Sequence, residues 1–368
     1  MKMIETDRDA ILKPLQVVSG IVERRHTLPI LSNVLFERKQ GSLKVIATDL
    51  EIEIATSNEC LTDGEDLALT VSARKLYDIL RSLPEASRVS FEVSDNRLHL
   101  RADRSHFNLQ TLPAQDFPRM AEATDGKTSF HIGQKAFRHL LALVQYAMAQ
   151  QDIRYYLNGV LMIMDSGTLA VVATDGHRLA LASLVSEQAT AMQEVILPRK
   201  SVVELVKLLA ESDDPVRVDI LSNQVRFSFG STLLTTKVVD GKFPDYKRVI
   251  PTGHGKQFSI DRVALLQALQ RAAILSNEKF RGVRWVLSPN SLRIACTNTE
   301  QEEAQEELEI DYSGDPVDIG FNVTYLTDVL SNLDAPSITC ALGDANSSAL
   351  ITVPGMEGFS YVVMPMRI

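Results

Sequence analysis

Asp175 and His177 stand two residues apart in the run Thr174-Asp175-Gly176-His177-Arg178-Leu179, a pairing that can hold a metal ion or move a proton. Either chemistry needs further ligands, and the chain points to none. A turn with Asp at its start and Gly inside is the competing reading. Tyr155-Tyr156, after Arg154, offers rings for stacking on bases or sugars. Alternatively one ring of the pair faces a core, because neighbours in a strand point to opposite sides. Sites for nucleotide, zinc or acyl chemistry are missing: Gly255-Lys256 is followed by Gln257, and no G-x-G-x-x-G, H-E-x-x-H or G-x-S-x-G occurs. A binding protein accounts for these residues better than an enzyme. The rivals are an enzyme acting on nucleic acid with Asp175 and His177 at a metal centre, and a peptide-binding scaffold indifferent to DNA.

The chain has 368 residues with 45% hydrophobic and 23% charged side chains, an ordinary globular composition long enough for two or three domains. The stretch Met1 to Ala10 is charged and lacks the apolar run of a signal peptide. No 18-residue apolar window suggests a membrane span. Cys60, Cys296 and Cys340 are odd in number and far apart, which favours a reducing cytoplasm over a disulfide framework. Net charge is −9, from 38 basic and 47 acidic residues. A nucleic-acid binder working through its whole surface is therefore excluded.

A long internal repeat organises the rest. Ala47-Thr48-Asp49 returns as Ala173-Thr174-Asp175 and more loosely as Cys296-Thr297-Asn298, at offsets of 126 and 123 residues. Each ends a β-rich hairpin, with turns at Gly41, Gly167 and Ser291. Before each hairpin lies a helical pattern, over 8–22, 133–150 and 261–276; in the second, Phe137, Leu140, Leu141, Val144 and Met148 form one apolar stripe. A second helix follows each hairpin, near 73–83, 198–210 and 323–333, and further strands follow that. Leu112, Val238 and Met364 close the repeats at spacings of 126. Each third thus reads as an α+β unit of two helices and about eight short strands. Boundaries near 126 and 251 give domains 1–126, 127–251 and 252–368.

The six helical segments hold twelve cations, Arg8, Lys13, Arg74, Lys75, Arg81, Lys135, Arg138, Arg199, Lys200, Lys207, Arg262 and Arg271, against five acids, Asp9, Asp78, Glu204, Asp261 and Asp328. That is +7 in the helices and −16 elsewhere. If the helices share a face, that face suits a polyanion gripped through its phosphates; an ordinary solvated helix surface is the alternative. The acidic run Glu300 to Glu309 is either solvated or pairs with a basic edge near Arg97, Arg101 and Arg104 in a head-to-tail contact. The C-terminus, Tyr361 to Ile368, is apolar to its last residues, so it must pack or line an apolar groove in which soft Met side chains accept varied peptides.

Several segments together resemble the bacterial DNA polymerase III β subunit family, the sliding clamps. They are Thr27-Leu-Pro-Ile-Leu, Gln151-Asp-Ile-Arg-Tyr-Tyr-Leu-Asn-Gly, Ala173-Thr-Asp-Gly-His-Arg-Leu, Val239-Asp-Gly-Lys-Phe-Pro-Asp-Tyr, Leu275-Ser-Asn-Glu-Lys-Phe-Arg-Gly-Val-Arg and the ending Tyr-Val-Val-Met-Pro-Met-Arg-Ile, in order along the full length. The resemblance implies a non-enzymatic processivity factor without cofactor or metal. Its expected fold is the α+β DNA-clamp fold: three tandem similar domains, helices inside and antiparallel sheets outside, closing as a head-to-tail homodimeric ring around double-stranded DNA. It further implies DNA contacts at Arg25, Arg74, Gln151, Tyr155, Tyr156, Arg199 and Lys200. A peptide groove for the replicative DNA polymerase, the clamp loader, translesion polymerases and repair proteins maps onto Leu157, Thr174, Gly176, His177, Arg178, Leu179, Pro244, Arg248, Val249, Phe280, Asn322, Tyr325, Ser348, Val362, Met364, Pro365 and Met366. A dimer contact places Lys75, Arg104, Phe107 and Leu109 against Ile274, Leu275, Glu300, Glu302 and Glu303 of the other copy. His106 departs from the family by standing where a relative carries Arg, which weakens that ion pair near neutral pH; Asn346 and Ala349 depart from its groove pattern.

Overall fold

The computed structural model describes residues 2–23, 27–39, 41–59, 66–121, 128–186 and 192–367. One element order occurs three times. The first copy runs β1 (Lys2–Asp7), α1 (Arg8–Ser19), β2 (Asn33–Lys39), β3 (Ser42–Thr48), β4 (Ile52–Glu59), β5 (Leu67–Ser72), α2 (Ala73–Ser82), β6 (Arg88–Ser94), β7 (Arg97–Ala102) and β8 (Ser105–Leu112). The second runs β9 (Thr128–Gly133), α3 (Gln134–Ala142), β10 (Gly159–Asp165), β11 (Thr168–Thr174), β12 (Arg178–Val185), β13 (Gln193–Pro198), α4 (Arg199–Leu208), β14 (Pro215–Ile220), β15 (Gln224–Phe229) and β16 (Thr232–Lys237). The third runs β17 (Lys256–Asp261), α5 (Arg262–Ala273), β18 (Gly282–Ser288), β19 (Ser291–Thr297), β20 (Glu303–Glu309), β21 (Val317–Asn322), α6 (Val323–Asn332), β22 (Ser337–Leu342), β23 (Ala349–Thr352) and β24 (Phe359–Val363). The boundary expected near 126 and Cys60 lie outside the described residues. The helix expected over 133–150 is shorter, ending at Ala142, with a separate 3-10 turn at Gln145–Ala147.

The chain packs as two compact units, Met1–Phe137 with Val203–Val238, and Arg138–Val202 with Val239–Ile368. In the first, twelve antiparallel strands run in the order β1-β6-β7-β8-β5-β2-β3-β4-β16-β15-β14-β9. The sheet passes from one repeat to the next where β4 pairs β16, with Glu53 opposite Thr235. The second unit holds an eight-stranded sheet, β13-β10-β11-β12-β24-β23-β22-β17, and a four-stranded one, β20-β19-β18-β21. Its equivalent crossing is β12 on β24, with Leu179 opposite Val362. Sheets therefore cross repeat limits, a feature that the spacing of motifs does not display.

Local sequence explains the recurring pieces. After β3, β11 and β19 the chain reverses on one carboxylate or amide. Asp49 Oδ1 accepts from the backbone N–H of Glu51 and Ile52, both at 2.9 Å. Asp175 Oδ1 accepts from His177 and Arg178 at 2.9 and 3.0 Å. Asn298 Oδ1 accepts from Glu300 and Glu302 at 3.0 and 2.9 Å. Asp and Asn suit this work because a short acceptor side chain reaches its own chain two residues on. The turn reading of Asp175 is therefore the one its hydrogen bonds support.

Helix α1 buries Ile11, Leu15 and Val18 and packs on α2, whose Leu76 and Leu80 are fully covered. Each such side chain stabilises by about 1.5–3 kcal/mol. Pro14 sits inside α1 and removes the N–H that would bond the Ala10 carbonyl. Asn58 Nδ2 donates to that carbonyl instead, at 3.0 Å.

Several of the twelve helix cations are engaged within the fold. Arg8 is buried, donates to the Leu83 carbonyl beyond α2 and pairs with Asp9. Arg262 does the equivalent in the third repeat, donating to the Leu330 and Ala335 carbonyls at 2.8 Å each. Arg271 forks onto Glu306, and Lys207 pairs with Glu204 at 2.8 Å. Counting charges by helix thus overstates the positive potential the helices present, because carbonyls at helix ends and nearby carboxylates take part of it.

Candidate functional site

The described residues form an apolar cleft of about 180 Å³ in the second unit. Its floor is a buried cluster in which Leu157, Ile163, Val172, Leu179, Phe243 and Val362 meet. The strands of β10, β11 and β12 supply one side of the floor, and β24 supplies Val362 by pairing with β12. Gly159 permits β10 to lie against β13, since a Cβ there would sit 2.3 Å from the Leu197 carbonyl oxygen. Gly176 has φ +90°, and a Cβ on it would approach both Arg154 terminal nitrogens at 3.1 Å. Only glycine adopts that backbone freely, and it leaves the cleft mouth open.

Of the residues expected to form a peptide groove, Leu157, Thr174, Gly176, His177, Arg178, Leu179, Pro244, Val249, Val362 and Met364 line this cleft. Others stand around it. Tyr325 stacks on His177 with centroids 6.4 Å apart and lies under the Arg178 guanidinium at 4.5 Å. Arg248 is 86% exposed and pairs with Asp245 at 2.8 Å. Phe280 is exposed, Asn322 caps α6 by accepting from the Thr324 N–H, and the Ser348 carbonyl contacts the His254 ring at 2.8 Å. The tail is tied down: Met364 N–H donates to the His177 carbonyl at 2.9 Å, and, past Pro365, Met366 N–H donates to Gly320 at 2.8 Å.

Arg178 holds the cleft wall. Its Nε donates to Asp175 at 3.1 Å, Nη1 to Asp328 at 2.6 Å and Nη2 to the Tyr146 carbonyl at 2.7 Å. The side chain is 9% exposed. Burial opposes its charge, yet Tyr361, Asp328 and Asp175 outweigh that and hold it more firmly protonated than a free arginine. Burial also pushes the Tyr361 hydroxyl up, and that hydroxyl donates to the Tyr325 carbonyl at 2.8 Å. His177 therefore serves a stacked wall and Asp175 a turn and an ion pair. Three or more His, Cys, Asp or Glu that could hold a metal do not gather anywhere among the described residues.

Sequence reasoning missed Arg154 and Tyr246 in the cleft, and Asp328 and Tyr146 behind it. A signal for Arg154 was present in Asp152-x-Arg154. Arg154 forks onto Asp152, Nε to Oδ1 at 3.0 Å and Nη2 to Oδ2 at 2.8 Å, and reaches the Asp175 carbonyl at 3.3 Å. Hydrogen bonds from the Arg154 side chain and then its backbone lower the Asp152 carboxyl from 3.8 to about 2. A depressed carboxylate is fully ionised and paired above the ordinary range, and the pair is lost as pH falls toward 2. A native-state NMR titration should give Asp152 a midpoint near 2, and Arg154→Ala should raise it toward the usual carboxylate range without reaching it, because the backbone N–H bond remains.

The residues expected to touch DNA are dispersed among elements. Arg25 lies outside the described residues. Arg74 projects from α2 and approaches Asp78 at 3.7 Å. In the second unit, Gln151 has φ +55° in an exposed loop that continues to Ile153, 96% exposed, and Tyr155, 57% exposed. Tyr155 and Tyr156 sit in a 3-10 turn rather than a strand, yet Tyr156 still packs on the cleft's apolar cluster while Tyr155 faces solvent. Arg199 and Lys200 open α4, and Arg199 donates to the Met148 carbonyl at 3.3 Å. Of the expected dimer residues, Lys75 and Arg104 are exposed, while Phe107 and Leu109 lie on β8. In the second unit Ile274 is 78% exposed, Leu275 is half-buried, and Glu300, Glu302 and Glu303 are exposed at or before β20.

Comparison with known proteins covers almost the whole chain. Residues 1–121, 131–245 and 247–367 match the models of the N-terminal, central and C-terminal domains of the DNA polymerase III beta subunit. The chain is 47% identical to the beta sliding clamp of Pseudomonas aeruginosa and 45% identical to that of Escherichia coli K12. Each match spans 362 residues, 98% of this chain and at least 98% of the relative. A crystal structure of the Pseudomonas aeruginosa clamp bound to griselimycin is similar over 100% of both chains, with TM-score 0.96 and 46% identity.

Proposed function

This chain belongs to the bacterial DNA polymerase III β subunit family, the β sliding clamps, and on that premise we propose that two copies close head to tail around duplex DNA. The fold is the three-domain clamp fold, and the protein is the non-catalytic processivity subunit of DNA polymerase III. The three domains are 1–126, 127–251 and 252–368. No helix of the described residues is long and apolar enough to cross a membrane. A cytoplasmic site of action is part of the same proposal.

One observation carries the closure. The closing strands of the second and third repeats, β16 and β24, pair with β4 and β12 of the preceding repeat. By the same rule β20, at the open edge of the four-stranded sheet, needs the closing strand of a first repeat. That strand is β8. Among the described residues, it pairs only with β7 along Ser105–Gln110, and only Thr111 and Leu112 reach β5. An unpaired strand edge is a template for another chain. The acids of β20 meeting the Arg104 end of β8 fix the direction.

In this reading, retention on DNA is topological. Arg25, Arg74, Gln151, Tyr155, Tyr156, Arg199 and Lys200 touch the duplex weakly enough to slide, since phosphate contacts carry no sequence information. The cleft receives short apolar segments of the replicative polymerase, the clamp loader, translesion polymerases and repair proteins. Its apolar floor with a few polar groups at the mouth fits such segments. The protein loaded on a nicked circle is expected to stay after dilution and to run off once the circle is cut. Equal loss from circle and linear DNA would exclude encirclement.

A further inference from the structure

The peptide cleft has a counterpart 126 residues earlier, and its chemistry is inverted. In the first unit, Leu35, Ile46, Ala55 and Phe117 form a buried cluster at the positions equivalent to Leu161, Val172, Leu181 and Phe243. The turn bordering it is also the same: Thr48 Oγ1 bonds the Ile52 carbonyl as Thr174 Oγ1 bonds that of Arg178. The wall strand arrives in like fashion, Lys237 N–H donating to the Glu51 carbonyl at 2.9 Å as Met364 N–H does to His177.

Two apolar floor residues of the cleft, Ile163 and Leu179, are replaced there by Glu37 and Glu53. Where the cleft has Asp245, whose partner Arg248 points to solvent, the counterpart has Arg119 turned inward. Arg119 forks onto Glu53 with both bonds at 3.0 Å and lies 3.6 Å from Glu37. Glu53 is 7% exposed and also accepts the Met120 N–H at 3.1 Å. Leu50 takes the place of Gly176 and keeps its backbone at φ +78°, which puts a side chain at the mouth.

We propose that Glu37, Glu53 and Arg119 form a built-in plug that closes a second peptide cleft and limits each chain to one binding site. The inference rests on the peptide-groove reading of the cleft. A fork-paired guanidinium, its side chain 38% exposed, lies over the two carboxylates and blocks the path an apolar side chain of a ligand would take. Two carboxylates beneath it reject any apolar segment that displaces it, because each would lose its cation while being shielded from water. The ligand class the bare junction would accept is a short peptide carrying two bulky apolar side chains.

Calorimetric titration of the full-length protein with the acetylated hexapeptide Gly-Ser-Leu-Phe-Ser-Gly tests this. The native chain is expected to bind one peptide, and the variant Glu37→Ile, Glu53→Leu, Arg119→Ala two. In that variant, deleting Met364 to Ile368 should leave one. A folded triple variant that still binds one peptide overturns the plug. A native chain that binds none overturns the groove reading instead, and a second measurement then still judges the plug. In Arg119→Ala alone, ethylguanidinium should raise the melting temperature selectively over sodium at equal ionic strength, by refilling the pocket between the two carboxylates. Equal response to both cations would overturn the proposal.

Discussion

Replacing Arg178 by alanine is expected to lower the unfolding free energy by about 3 kcal/mol and to abolish peptide capture in the cleft. The guanidinium satisfies Asp175, Asp328 and the Tyr146 carbonyl at once, and its removal leaves three acceptors around a small void. Truncating one member of a buried ion pair is more damaging than replacing the whole pair, since the remaining charge stays desolvated. Asp328 is 35% exposed and gains water on truncation, which sets the estimate at the low end of the usual range. Tyr325 also loses the cation over its face, so the wall it shares with His177 loosens. Arg178→Lys keeps the charge but cannot present three donors in a plane, and should recover less than half of the loss. Denaturant unfolding with peptide titration checks both effects; a change below about 0.5 kcal/mol would mean that the three bonds contribute no net stability.

Deletion of Met364 to Ile368 is expected to weaken peptide binding at least about thirtyfold while leaving the dimer intact. Met364 lines the cleft and its N–H fastens the tail to His177; Met366 fastens it to Gly320. Losing one apolar wall costs a ligand about 2 kcal/mol of burial, which is the thirtyfold. The strands proposed to meet between copies, β8 and β20, contain none of the deleted residues. Sedimentation should therefore give an unchanged mass. Undiminished peptide affinity would remove the tail from the groove; a monomeric product would place it in the dimer contact.

Much of the cleft was readable from sequence because its parts are local. Thr174 to Leu179 form one turn and one strand start, and the glycine at 176 marks a backbone with positive φ. The apolar ending Tyr361 to Met366 announced a packed tail. The helix charge tally misled in part for an equally physical reason. An arginine at a helix start looks the same in sequence whether it faces a polyanion or bonds the end of a neighbouring helix, as Arg8 and Arg262 do. Strand alternation would point one of Tyr155 and Tyr156 at the core; a 3-10 turn achieves the same division, and Asp152 shapes the approach by accepting from the Arg154 N–H at 2.8 Å.

The amino-acid sequence alone determined the threefold order of elements, the turns on Asp49, Asp175 and Asn298, and the apolar stripes that bury each helix. These depend on hydrogen bonds and periodicities among residues a few positions apart, which residue types dictate directly. Only the tertiary structure decided that sheets run from one repeat into the next, that Arg178 reaches Asp328 across 150 residues, that β20 ends its sheet, and that β8 meets β5 only at Thr111 and Leu112 among the described residues. Such contacts turn on how packed sheets align, and chain neighbours carry no record of that. The same logic makes one junction a cleft and sets an ion pair in its counterpart. The repeat supplied two equal frameworks, and Ile163 and Leu179 against Glu37 and Glu53 set them apart once Arg119 was seen to turn inward.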